Sequence, residues 1–83
     1  MPHIIVEYVF DPPMTEEGFD AMGKALAPCL QERNVTWKGS YIAQDRRRRV
    51  CIYEAVDAES VRAAYRTAGV GFERAWSADA ITE

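Results

Sequence analysis

The sequence predicts one α+β domain of order β-α-β-β-α-β, a four-stranded antiparallel sheet with two helices on one face. Three observations carry this. Period-two alternation marks the first segment, three further runs read as strands, and apolar residues recur at helical spacing in two others. Proline, glycine and charged clusters punctuate the boundaries between them. The 83 residues provide for one core and no second domain, and the 48% hydrophobic content is ample for that core.

Residues 3–10 read as the first strand, since they are mostly β-branched or aromatic. Alternation puts Ile4, Val6, Tyr8 and Phe10 on the core face and His3, Ile5, Glu7 and Val9 on the other. Asp11-Pro12-Pro13 ends the strand, because proline cannot donate to a ladder. Thr15 then caps a helix whose first turn carries Glu16 and Glu17, with Phe19, Met22, Leu26 and Leu30 as its buried stripe. Pro28 predicts a kink or break near Ala27.

Residues 35–44 form the second strand, Asp45 to Arg48 or Arg49 a charged turn, and Val50 to Ala55 the third strand. Asp57 caps the second helix, which buries Val61, Tyr65 and Ala68 and stops at Gly69. Phe72 to Ile81 supplies the fourth strand. The order is that of a ferredoxin-like fold, and two helices can cover only one face of its sheet. The uncovered face is expected to pair with a second copy, hold a ligand, or both, as in dimeric α/β barrels.

Charge and composition exclude several functions. No apolar run reaches the roughly 18–20 residues of a membrane-spanning helix, and the first residues lack the basic start of a signal peptide. Cys29 and Cys51 form no CxxC motif, so a reduced, cytoplasmic protein is expected. The net charge of −3 argues against nucleic acid. The arginine run 46–49 therefore reads as a solvated hairpin tip, and the third strand lacks the glycine-flanked aromatics of RNA-binding sheets.

The candidate site residues are few. His3 is the one histidine and hence the candidate metal ligand; with Glu7 about 13 Å along the same strand face, a metal would need donors from a second subunit, Cys51 and carboxylates among them. Cys51 and Tyr53 share a strand face. On Glu7's side of the sheet they would line an acid–phenol–thiol pocket, with Glu7 as base and Tyr53 or Tyr41 as acid. Trp37 and Tyr41, four residues apart on one strand, would form an aromatic wall with Trp76 and Phe72. A free Pro2 amine would be the base of a tautomerase, whose opening Met-Pro-His-Ile-Ile-Val-Glu resembles, but the remaining sequence departs from that pattern.

A wider resemblance covers most of the chain. Ile-Ile-Val-Glu7, Trp37-x-x-Ser40-Tyr41, Asp45, Cys51-Ile52-Tyr53-Glu54-Ala55, Glu59-Ser60-Val61-Arg62 and Arg66-x-x-Gly69 resemble the small actinobacterial nickel-binding-protein family. The resemblance implies a ferredoxin-like homodimer and nickel as the candidate ion. It also carries over Glu7, Trp37, Ser40, Tyr41, Cys51 and Tyr53 as candidate site residues. The sequence departs from the family in its single histidine, in Pro28-Cys29 within the first helix, and in a longer hairpin turn. The leading expectation is a dimeric binder of a metal or small organic molecule at the open sheet face, with Trp37, Ser40, Cys51 and Trp76 as ligand contacts. The alternative is a cofactor-independent cyclase, isomerase or monooxygenase acting on a flat substrate; a pure interaction module is the third.

Overall fold

The computed structural model describes residues 2–82. Its elements are β1 (His3–Val9), α1 (Glu16–Glu32), β2 (Thr36–Ile42), β3 (Arg48–Glu54), α2 (Ala58–Ala68) and β4 (Arg74–Ala78). The strands lie in the order β2-β3-β1-β4, every neighbouring pair antiparallel. This is the ferredoxin-like arrangement, with both helices on one side.

The alternation in β1 works as the sequence predicts. Ile4, Val6 and Tyr8 are buried beneath the helices with Cys51 and Tyr53 of β3 and Ala75 of β4. Val61, Ala64 and Tyr65 of α2 and Leu26 and Leu30 of α1 close the core from above. Both predicted caps are present. Thr15 accepts the Gly18 N–H at 3.0 Å, and Asp57 accepts the Ser60 N–H at 2.7 Å. Gly69 ends α2 at φ 71°, a left-handed conformation that glycine takes without a Cβ penalty.

Three boundaries differ from expectation. α1 runs unbroken through Pro28, because Leu26 and Leu30 on either side of it are both anchored in the core and hold the helical path. β3 starts at Arg48, so the charged turn is shorter and Arg49 belongs to the strand. β4 is trimmed to five residues, since Phe72 turns in to pack on Tyr65 at 5.2 Å between ring centroids. Among the described residues no helix is long and apolar enough to cross a membrane.

Candidate functional site

The register assigns every candidate side chain to one of two faces. On the face without helices, three rows cross the central strands. His3 lies between Glu54 and Ala78, Ile5 between Ile52 and Trp76, and Glu7 between Val50 and Arg74. Tyr41 joins the last row beside Val50. The middle row is apolar, and Trp76 (44% exposed) and Tyr41 (72%) remain open to solvent. A shallow hollow of about 320 Å³ lies over His3, Ile5 and Ile52, bordered by Asp79. Glu7 is held in place: the Trp76 indole Nε1–H donates to its Oε2 at 2.7 Å, and the Arg74 guanidinium stands 3.8 Å away.

The other candidates lie on the helix side: the β1–β3 register sets Tyr53 and Cys51 opposite Ile4 and Val6, and a β-bulge parts Trp37 and Ser40 from Tyr41. Pairing steps from Trp37↔Tyr53 to Gly39↔Ile52, so Lys38 is the extra residue and the alternation of β2 slips by one. Trp37 and Ser40 therefore face the helices while Tyr41 faces away. This corrects the expected aromatic wall: Trp37 and Phe72 are on the helix side, Tyr41 and Trp76 on the open side. It corrects the acid–base pocket too. Tyr53 and Cys51 are buried on the helix side, so neither meets Glu7, and Cys51 cannot join a metal site on the open face. Tyr41 shares Glu7's face, two strands away, at about 10 Å for strands spaced ~4.8 Å.

The buried candidates instead form a continuous polar chain. Ser40 Oγ accepts from Trp37 Nε1 at 2.9 Å and Arg49 Nη2 at 3.3 Å, and donates to Cys51 Sγ at 3.1 Å. The Cys51 thiol lies 3.9 Å from the Tyr8 hydroxyl. Tyr8 is hydrogen-bonded to the Tyr65 hydroxyl, which in turn pairs with Tyr53 at 2.7 Å. Burial pushes all three phenols up in pKa, and each is raised further by the neighbouring phenols or thiol. They stay protonated near neutral pH and can hold and orient a partner, not accept a proton from it.

This chain borders a cavity of about 300 Å³ between α1 and the β2–β3 half of the sheet. Gly23, Leu26, Ala27 and Leu30 line it from the helix, and Trp37, Arg49 and Tyr53 from the strands. Arg49 is the residue that sequence reasoning misplaced, by assigning it to a solvated tip. Its guanidinium stacks 5.6 Å from the Tyr8 ring centroid and 5.2 Å from that of Phe19. The signal was available: positions 49, 51 and 53 share a strand face, and two of them had been singled out. For Tyr8 and Tyr65 the sequence predicts only a place in the core, where both lie.

The donor chemistry does not fit a nickel centre within one chain. Among the described residues no group of three or more His, Cys, Asp or Glu side chains converges, and the sequence has one histidine. His3 has Glu54 as its cross-strand neighbour and no third donor beside them.

Fold and site together define a small ferredoxin-like α+β domain with one uncovered sheet face and a polar chain running inward from Trp37 on the other. The sequence model of the SCO4226-like nickel responsive proteins matches residues 4–77, and the chain belongs to that family. The crystal structure of SCO4226 from Streptomyces coelicolor A3(2) superposes with a TM-score of 0.83 at 15% identity, covering 96% of this chain and 99% of that one. No curated protein sequence matches significantly.

Proposed function

We propose that the protein is a homodimeric ligand-binding protein that carries a metal or small molecule at the uncovered sheet face. The observation that supports this is the apolar row of Ile52, Ile5 and Trp76, left without a covering layer and flanked by His3–Glu54 on one side and Glu7 on the other. A second copy laid on this row would remove it from water, and apolar burial is the dominant drive for such association. It would also double the donor count. Two copies bring two His3 imidazoles and two Glu54 carboxylates to one seam, the minimum that nickel, named by the family, would need. In this reading the dimer forms on the apolar row and nickel binds at its seam.

The test is a nickel titration by calorimetry alongside size-exclusion chromatography with light scattering. The expected result is a particle of two chains, about one nickel per dimer, and loss of the nickel heat in His3→Ala with the dimer kept. A monomer at every concentration overturns the dimer reading. Nickel heat that survives in His3→Ala overturns the assignment of the metal to this face.

A further inference from the structure

We propose that the cavity between α1 and the β2–β3 half of the sheet binds a small organic anion with an apolar body, its head held by Arg49. This site lies on the side of the sheet opposite the nickel-directed face and is independent of it.

The electrostatics point to an anion. Among the described residues five basic side chains have a carboxylate partner: Lys38 has Glu54, Arg47 has Asp11, Arg62 and Arg66 share Glu59, and Arg74 has Glu7. Of the others, Lys24, Arg33, Arg46 and Arg48 are exposed to water, whereas Arg49 is half-buried. No carboxylate among the described residues lies within 4 Å of the Arg49 guanidinium. Its contacts are the Ser40 hydroxyl and the faces of Tyr8 and Phe19. Its Nε is fully buried and has no hydrogen-bond partner, the one side-chain polar atom of the described residues in that condition. Nε itself is closed to a water-sized probe, so an acceptor in the cavity reaches the guanidinium where Arg49 lines the wall. A carboxylate is suited to that task because its hydrogen bonds to a guanidinium are charge-assisted.

The walls specify the rest. Leu26, Leu30, Trp37 and Tyr53 make the cavity chiefly apolar and aromatic. At a liquid share of about 30 Å³ per water-sized group, 300 Å³ takes a body of about ten heavy atoms. Gly23 keeps the space open. It lies mid-helix, where glycine is disfavoured, lines the cavity, and a Cβ built on it meets nothing within 4 Å. Trp37 is 57% exposed at the rim, so the site communicates with solvent.

The experiment titrates the full chain by calorimetry with octanoate, which has the required size and charge, and with 1-octanol as its uncharged match. Octanoate is expected to bind one per chain, at least about tenfold tighter than 1-octanol, as a charge-assisted hydrogen bond requires. Arg49→Met, which keeps the apolar stem, should bring the two ligands within about threefold. Gly23→Leu should weaken octanoate at least about tenfold while melting no lower than the parent, since it fills the cavity and improves helix propensity. It decides the matter should Arg49→Met fail to fold. The proposal is overturned if the parent does not take up octanoate at millimolar concentration, if 1-octanol binds equally well, or if Gly23→Leu binds octanoate like the parent.

Discussion

Replacing Tyr65 by Phe removes one oxygen atom from the centre of the fold, and the structure lets its cost be worked out. Tyr65 is fully buried, and its hydroxyl joins those of Tyr8 and Tyr53. The ring itself stays: its edge contacts with Tyr53 at 6.2 Å and Phe72 at 5.2 Å do not need the hydroxyl. Two hydrogen bonds are lost, each with a net value of about 1 kcal/mol. Tyr8 retains a weak partner in the Cys51 thiol 3.9 Å away, whereas Tyr53 is left with a buried hydroxyl and none, which adds about 1 kcal/mol. The sum is about 3 kcal/mol, or a fall in Tm of about 10–20 °C for a domain of this size. Urea and thermal unfolding followed by circular dichroism, at one fixed protein concentration, would measure it. Tyr53→Phe added to Tyr65→Phe should cost little more, because it removes the orphan. A loss under about 0.5 kcal/mol for Tyr65→Phe would refute the view that these phenols act as one network.

The same phenols set the alkaline limit. Their folded pKa values lie above the ordinary value near 10, so the native state keeps protons that the unfolded chain releases; stability is full below about pH 10 and falls above it, by up to about 4 kcal/mol per pH unit for the three together. Phenolate absorbance from Tyr8, Tyr53 and Tyr65 should therefore appear only with unfolding. Pro28→Ala restores a helical N–H in the interior of α1 at an exposed position, and should raise stability by about 1–3 kcal/mol in the same urea assay. Asp57→Ala removes the cap of α2 and should lower Tm. Hydrogen bonds from the Ser60 N–H and hydroxyl hold the Asp57 carboxyl below its usual range, so the stability it supplies is present above pH 4 and lost as the pH falls through the folded pKa. The gap between the Asp57→Ala variant and the parent should close in strong acid.

How far the sequence speaks for the structure varies by element. β1 and α2 were legible because each signal is local: strict alternation in the first, a cap, a stripe and a terminal glycine in the second. The path of α1 was not, because a proline's effect depends on how firmly its flanks are anchored, and only the fold shows Leu26 and Leu30 both packed. The site was legible by residue and not by face. Trp37, Ser40, Cys51 and Tyr53 do form one cluster, but Glu7, Tyr41 and Trp76 belong to the other side of the sheet. Two causes act: the pairing register of β1, which no local pattern states, sets Cys51 and Tyr53 opposite Val6 and Ile4, and a single extra residue at Lys38 parts Tyr41 from Trp37. Arg49 was hidden by its company, as three preceding arginines made it look like part of a turn.

The bulge at Lys38 gives β2 an unusual freedom. In a regular strand, lengthening or shortening by one residue inverts everything downstream of the change. Here the inversion is already built in between Trp37 and Gly39, so Trp37 and Ser40 furnish the helix side while Thr36, Gly39 and Tyr41 furnish the open face. Deleting Lys38 would leave Trp37, Gly39, Ser40 and Tyr41 in plain alternation with every side chain on its present face, whereas pairing Lys38 into the ladder would bring Tyr41 to the side of Trp37. Conversely, while the bulge stands, position 41 can vary to suit a partner without disturbing the contents of the cavity, whereas position 42 lies on the side of Arg49. One inserted residue thus decides which aromatic of β2 serves each surface of the sheet.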